Sequence, residues 1–373
     1  MKKSFFFLLL TLLCCNLLAQ DYTISLTGGY LCSMAPKWRY MQAPTIGFDV
    51  SLSTDLSGSK FWQRWWRIPT FGARANATHV CDGIAGDRFG LTGFVQSPLW
   101  RSQKLDVTQL CPEPSPHYLY WEVDAGFAFY SRPYERVSNE LNDFIGTYLN
   151  CQLQLGIGYR RTFTDGSAWQ FAAKIVHNSN GQLTQHNKGL NYLQGELGWR
   201  LAPSHHYSLA PDYLNPDTTT PPAHSTLFLA FAPSVVMSRH LNNNTHAYYY
   251  AYSAQLGFKV HLNSCLAFGS TIDMMYNYSH LELYKAFGVP YSYPFYLGVL
   301  AFAEPRWGAL SLRAGLGFYL PEFTCEMNDQ HYYERFGLFY HFGREERQSF
   351  GVAMKLHQAR IDYIEWTYAV DLW

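Results

Sequence analysis

The fold class that this sequence predicts is a transmembrane, antiparallel, up-and-down β-barrel, and three observations predict it. The chain opens with an export signal, it is rich in aromatics and poor in charge, and its apolar residues recur with a period of two. The opening MKKSFFFLLLTLLCCNLLAQ has two lysines, an apolar run and small or polar residues up to Ala19. That is the plan of a secretory signal peptide, with cleavage expected after Ala19. Aromatic residues make up 17% of the chain and charged residues only 15%, a balance odd for a soluble enzyme. No later run approaches the roughly 20 apolar residues of a helical membrane span, so if a membrane is crossed, strands cross it. The 28 Lys+Arg balance 28 Asp+Glu, which leaves no basic surface for nucleic acid.

Residues 1–19 are therefore read as the signal and 20–373 as one barrel domain. Turn residues divide the mature chain into segments at 22–32, 43–55, 68–80, 85–100, 117–131, 144–163, 166–180 and 190–200, and then at 225–239, 245–262, 264–280, 293–303, 309–320, 331–343, 347–357 and 361–373. The expectation is about 12 to 16 strands, an even number. In segment 166–180, Trp169, Phe171, Ala173 and Ile175 share one parity, while Gln170, Lys174 and Asn178 share the other. In 190–200, Leu193, Leu197 and Trp199 oppose Tyr192, Gln194, Glu196 and Arg200. In 245–262, Tyr248, Tyr250, Leu256, Phe258 and Val260 oppose Ser253, Gln255 and Lys259. In 309–320, Leu310, Leu312, Leu316 and Phe318 oppose Ser311 and Arg313. Alternation of this kind marks strands.

A soluble sandwich alternates in the same way with its greasy face inward. Export, the aromatics and strands near the roughly 10-residue crossing length favour the barrel, and with it the outer membrane. The last segment places Ile364, Trp366, Tyr368, Val370 and Leu372 on one parity, as suits a final strand that closes the sheet. The Pro-, Thr- and His-rich stretch from 201 reads as a long connector.

One stretch, IVHNSNGQLTQHNKGLNYLQGELGW at 175–199, sets polar residues on the greasy parity. His177 and Ser179 lie there, and so does Asn191 on the returning strand. A hairpin centred near residue 185 sets Asn191 opposite Ser179, within reach of His177. The Cα atoms of His177 and Ser179 are then roughly 6 to 7 Å apart on one face. The imidazole is placed to take the Ser179 proton, a third group holds the ring in the correct tautomer, and Asn180 and Gly181 offer backbone N–H groups to an oxyanion. A site facing lipid implies a lipid substrate.

His177, Ser179, Asn180 and Gly181, followed by Asn187, Gly189 and Asn191, resemble the H-x-S-N motif and its N-x-G continuation in the lipid A 3-O-deacylases of the PagL type. FWQRWWRIPTFG from Phe61, GFAFYSRPYE from Gly126, NELNDFIGT from Asn139 and MKLHQARIDYIEW from Met354 resemble the longer relatives known as acyloxyacyl hydrolases. The resemblance implies an outer-membrane esterase that removes the acyl chain at position 3 of lipid A, with Ser179 as nucleophile, His177 as base and an oxyanion site near Asn180 and Gly181. It implies lipid A or lipopolysaccharide as the partner, and neither metal nor cofactor. Family members carry a glutamate as third residue where this chain has Asn191. The family barrel is eight-stranded, so further strands here are expected to widen the lumen.

Two other readings stand beside this one: a noncatalytic barrel, porin or structural, and an esterase acting on another acylated lipid. If both termini are periplasmic, the 181–189 turn is extracellular. His186 reads as a solvated tip residue, His205 and His206 as connector residues without a ligand set. Lys355, His357 and Glu365 read as internal polar contacts. Cys32, Cys81, Cys111, Cys151, Cys265 and Cys325 are available for disulfides, with no connectivity specified.

Overall fold

Along every strand the burial pattern is that of a soluble protein turned inside out. Leu26 and Ile46 are each 65% exposed, whereas Arg74 is 2% and Lys174 1% exposed. Water punishes such an arrangement and a hydrocarbon surround rewards it, so the soluble sandwich is excluded. The computed structural model describes residues 21–32, 36–56, 58–81, 83–103, 115–181, 184, 186–201, 223–239, 246–280, 295–320, 331–357 and 360–372. The signal peptide, His205, His206, Cys111 and Cys325 lie outside the described residues.

The first strands are β1 (Asp21–Cys32), β2 (Ala43–Asp55), β3 (Thr70–Val80), β4 (Asp87–Arg101), β5 (His117–Tyr130), β6 (Leu149–Thr162), β7 (Ala168–Ser179) and β8 (Leu190–Arg200). Each pairs antiparallel with its neighbours, and β8 returns to β1, with Thr23 opposite Arg200 and Cys32 opposite Asn191. The next are β9 (His224–Arg239), β10 (His246–Asn263), β11 (Leu266–Asn277), β12 (Phe295–Trp307), β13 (Leu310–Tyr319), β14 (Tyr332–Phe342), β15 (Gln348–His357) and β16 (Arg360–Asp371). They form a second closed sheet in which β16, the final strand, pairs with β9. Every segment expected from sequence is thus a strand, and the sixteen strands among the described residues are the top of the expected range. The closure differs from the expectation: the strands make two barrels of eight, not one wide barrel over 20–373. Alternation sets which face of a strand is greasy, but it carries no information on which strand closes on which.

Eight strands enclose a space just wide enough for side chains to fill. In the first lumen Arg74 meets Glu122 at 2.7 Å and Asp124, while Lys174 meets Glu122 at 2.6 Å and Glu196. The guanidinium of Arg74 also lies 4.8 Å from the Phe94 ring centroid. At the end carrying the β7–β8 turn, Leu31, Val80, Tyr130, Phe144, Ile145, Val176, Leu190 and Tyr192 pack into an apolar core. The second lumen holds Arg335 between Asp273 and Glu365, at 2.7 and 3.0 Å, beside Arg313 and Glu304 at 2.7 Å. Phe228, Leu300, Phe302, Tyr319 and Tyr333 pack among them. A cavity lined by Gln255, Thr271, Arg313, Arg335 and Thr367 has a volume of about 10 Å³, room for one water at most. The wider lumen expected from extra strands is therefore absent among the described residues, and the porin reading loses its channel.

Lys355 and Glu365 do face the second lumen, as expected. Lys355 and His357 both reach the Asp362 carboxylate at 2.6 Å, and the second nitrogen of His357 meets the Tyr319 hydroxyl at 2.7 Å. Cys32, Cys81, Cys151 and Cys265 are free thiols.

Filled lumens predict that the purified protein, reconstituted in planar bilayers, gives no stepwise ion conductance. Steady ohmic steps from folded protein would overturn this packing. The buried network predicts that Glu196→Ala lowers the unfolding free energy by about 3 kcal/mol, the low end for breaking a buried pair because Lys174 keeps Glu122. The urea midpoint of the heat-modifiable form measures it.

Candidate active site

On β7 the odd residues face outward: Trp169, Phe171 and Ile175 are exposed, and His177 and Ser179 follow on the same parity. Side chains alternate across a strand, so neither residue can turn inward without a bulge, and the β7–β8 register has none. His177 is half-buried and Ser179 buried. The strand ends at Ser179. Asn180 follows, itself buried, and Gly181 turns the chain at φ 65°, a left-handed value that glycine adopts without strain. His186 lies beyond it in the turn with φ 63°.

The register sets Asn191 directly opposite His177, and on the other side of β7 it sets Cys151 opposite Ser179. This corrects the expected pairing of Asn191 with Ser179. The hairpin is centred at residue 184, which shifts the register by two residues from a turn centred near 185. The shift strengthens the contact that matters: His177 Nδ1 lies 2.8 Å from Asn191 Oδ1. An amide oxygen only accepts, so Nδ1 donates in this contact, and in the neutral ring Nε2 is then the accepting nitrogen. On a second side the ring faces Gly189, at φ 71°, where the missing side chain leaves it room. A Cβ there would lie 2.7 Å from His177 Cε1 and 3.4 Å from Nε2. Any other residue at 189 would push the imidazole away from its place.

Ser179 Oγ makes no hydrogen bond among the described residues. Such contacts often form only when substrate is bound. The arrangement brings together an imidazole, a hydroxyl two residues along the same face, and an amide oxygen that accepts from Nδ1. No carboxylate is part of it. Glu196, the nearest glutamate in sequence, faces the lumen, where it accepts a hydrogen bond from Ser25 Oγ at 2.9 Å and pairs with Lys174. Among the described residues no three His, Cys, Asp or Glu side chains converge on a point that would hold a metal. Two features of the site escaped sequence reasoning, the contact of Gly189 with the ring and the connector 131–148 that holds Gly189. Their residues lie in the quoted motifs, but nothing in a motif says what its backbone touches.

The outer wall beside this site carries a shallow groove lined by Leu26, Gly28, Ile46, Ile157, Phe171, Ala173, Gly195 and Leu197. Ala173, Gly195 and Gly28 lie side by side on β7, β8 and β1, flanked by Ile157 and Ile46. A Cβ at Gly195 would meet nothing nearer than 3.6 Å, so the backbone does not require glycine there; its absence of side chain deepens the groove.

No curated protein matches the chain. Among solved structures it is similar to the outer membrane enzyme PagL, at 19% identity over 48% of this chain and 98% of that one, with a TM-score of 0.32. It is also similar to the siderophore receptor PirA from Pseudomonas aeruginosa, at 10% identity over 90% and 55% of the two chains, with a TM-score of 0.24. A mutant of the Rh. blastica porin follows, at 9% identity over 94% and 99%, with a TM-score of 0.18. Family matches, not these distant likenesses, carry the assignment. Residues 46–200, from within β2 to the end of β8, match the family described as lipid A 3-O-deacylase (PagL). Residues 224–371, the second barrel, match the acyloxyacyl hydrolase C-terminal domain. Two closed barrels with apolar outer walls and these two matches identify the chain as an outer-membrane protein that belongs to the lipid A 3-O-deacylase (PagL) family of acyl hydrolases.

Proposed function

We propose that this protein is an outer-membrane esterase that removes the ester-linked acyl chain at position 3 of lipid A, with Ser179 as nucleophile and His177 as base. The observation that carries the reading is the 2.8 Å bond between His177 Nδ1 and Asn191 Oδ1, which leaves Nε2 as the accepting nitrogen on the face that Ser179 shares. In the first step Ser179 Oγ bonds to the ester carbonyl carbon and its proton passes to His177 Nε2. The carbonyl becomes an oxyanion, for which the backbone N–H groups of Asn180 and Gly181 are the proposed donors. As the carbonyl re-forms, the sugar oxygen leaves with the proton from the imidazolium. Water, deprotonated by the same nitrogen, then releases the fatty acid and restores Ser179.

The substrate class follows from location. The site lies on the outer parity of an outer-membrane barrel, beside an apolar groove suited to an acyl chain. If the N-terminus of β1 is periplasmic, alternation of strand direction puts the β7–β8 turn on the extracellular side, in the leaflet of lipid A.

Asn191 departs from the glutamate of the family. Its amide orients the ring, yet it cannot neutralise the imidazolium that forms when Ser179 attacks. The chain is therefore proposed as a slow member.

Lipid A from cells expressing the parent should lack one ester-linked acyl chain by mass spectrometry, and lipid A from cells with Ser179→Ala or His177→Ala should keep it. Base and nucleophile act as a unit, so each change alone brings the rate to background. Full activity in folded Ser179→Ala protein refutes the mechanism. A second comparison concerns the third residue. Asn191→Ala should lower kcat by about tenfold or more, as expected for a base that loses its orienting partner, and Asn191→Glu should equal or exceed the parent at neutral pH. Rates of the three purified proteins on lipid A decide it; an Asn191→Ala rate equal to the parent removes Asn191 from the site.

A further inference from the structure

We propose that Asn142, in the connector between β5 and β6, is a positioning residue for His177; its consequence for catalysis rests on the deacylase reading, whereas its effect on the ring does not.

The connector folds into the mouth of the first barrel, and Asn142 holds its shape. The side chain is completely buried. Its Nδ2 donates to the Arg132 carbonyl at 2.7 Å, and its Oδ1 accepts the backbone N–H of Phe144 at 3.4 Å and of Ile145 at 3.3 Å. The return is completed by the Tyr134 N–H, which donates to the Ile145 carbonyl at 2.7 Å. Phe144 and Ile145 then join Val176 and Leu190 in the apolar core, so the connector is packed as well as bonded.

This fold presents the Phe144 carbonyl to the N–H of Gly189 at 3.1 Å. Lys188, one residue earlier, pairs with the Asp143 carboxylate, and its ammonium lies 5.8 Å from the Phe144 ring centroid. Two successive residues of the connector, Asp143 and Phe144, are thus joined to the two residues that lead into β8. Gly189 in turn faces the ring, where a Cβ would lie 2.7 Å from Cε1 of His177. The chain of contacts runs from Asn142 through Phe144 and Gly189 to the imidazole, whose far side is fixed by Asn191. Asn139 is a weaker candidate. Its Nδ2 donates to the carbonyls of Ile84, Arg132 and Pro133, which shapes the start of the connector and not the Phe144 end.

Removing the Asn142 amide takes the shared acceptor from the N–H groups of Phe144 and Ile145, while the Arg132 carbonyl keeps Asn139. The Phe144 end loosens, Gly189 shifts, and the ring gains room to rotate away from Asn191. A misplacement on the order of 1 Å in a catalytic group costs up to about 100-fold in rate.

The test uses the full-length protein refolded in detergent micelles with ¹⁵N-labelled histidine. The Nδ1–H resonance of His177 is assigned by its loss in His177→Ala. In Asn142→Ala this resonance should shift or broaden, and kcat on lipid A should fall about tenfold or more with KM within about twofold of the parent. Asn142→Asp, which keeps the acceptor for both N–H groups, should restore most of each. If Asn142→Ala is not heat-modifiable and so not folded, Asp143→Asn loosens the same joint without touching the buried amide, and the resonance should move in the same direction. An unchanged resonance in folded Asn142→Ala, or failing that in Asp143→Asn, overturns the proposal. Should Ser179→Ala keep its activity, the deacylase mechanism falls while the resonance still decides the positioning role.

Discussion

In a hydrocarbon surround a backbone N–H or C=O without a partner costs several kcal/mol, and closure of each sheet on itself is the constraint on which the rest of this structure depends. β8 returns to β1 and β16 returns to β9, so neither barrel has an open edge. Closure at eight strands then fixes the lumen width, and that width decides where chemistry can occur. Each lumen is occupied by its own side chains, charged groups paired at its centre and rings around them. A lipid substrate does not enter such a space. Reactive groups have to stand on the outer wall, where the apolar parity is interrupted.

That interruption falls at the end of β7. A strand offers only two directions for a side chain, so the outward parity that carries Trp169 and Ile175 also carries His177 and Ser179. Polarity is tolerable there because the strand is finishing and the turn residues begin. The register of β8 does the rest. With Asn191 directly across from His177, one short bond sets the tautomer, and the same register keeps Glu196 in the lumen with Lys174 and Ser25. An inward glutamate is part of the barrel's internal charge balance and is unavailable to the imidazole. The asparagine is therefore the residue that meets the ring by geometry.

Precision in this site comes from backbone as much as from side chains. The imidazole is bounded by an amide on one side and by a glycine on another, and that glycine is bonded to a connector shaped by one buried asparagine. A loop packed into a barrel mouth in this way behaves as part of the rigid scaffold, which is what a group that must meet a substrate within a few tenths of an ångström requires.

The period-two pattern alone determined the strands, because which face a residue takes in a strand is a local property of alternation. The outward parity of His177, Ser179 and Asn191, and the inward parity of Lys355 and Glu365, were legible for the same reason. Closure into two barrels was not legible, since pairing of β8 with β1 and of β16 with β9 is a long-range choice that leaves the pattern within each strand unchanged. The partner of Asn191 was misplaced because register depends on how tightly the turn closes, and a shift of two residues preserves parity. The roles of Gly189 and Asn142 were hidden for a further reason: each acts through its backbone or its turn on residues far away in sequence. Sequence by itself thus determined the strands and their faces, and it singled out His177, Ser179 and Asn191 as candidates. Only the tertiary structure decided which of those groups meet, because contact is set by closure and register, and neither is written in any one segment.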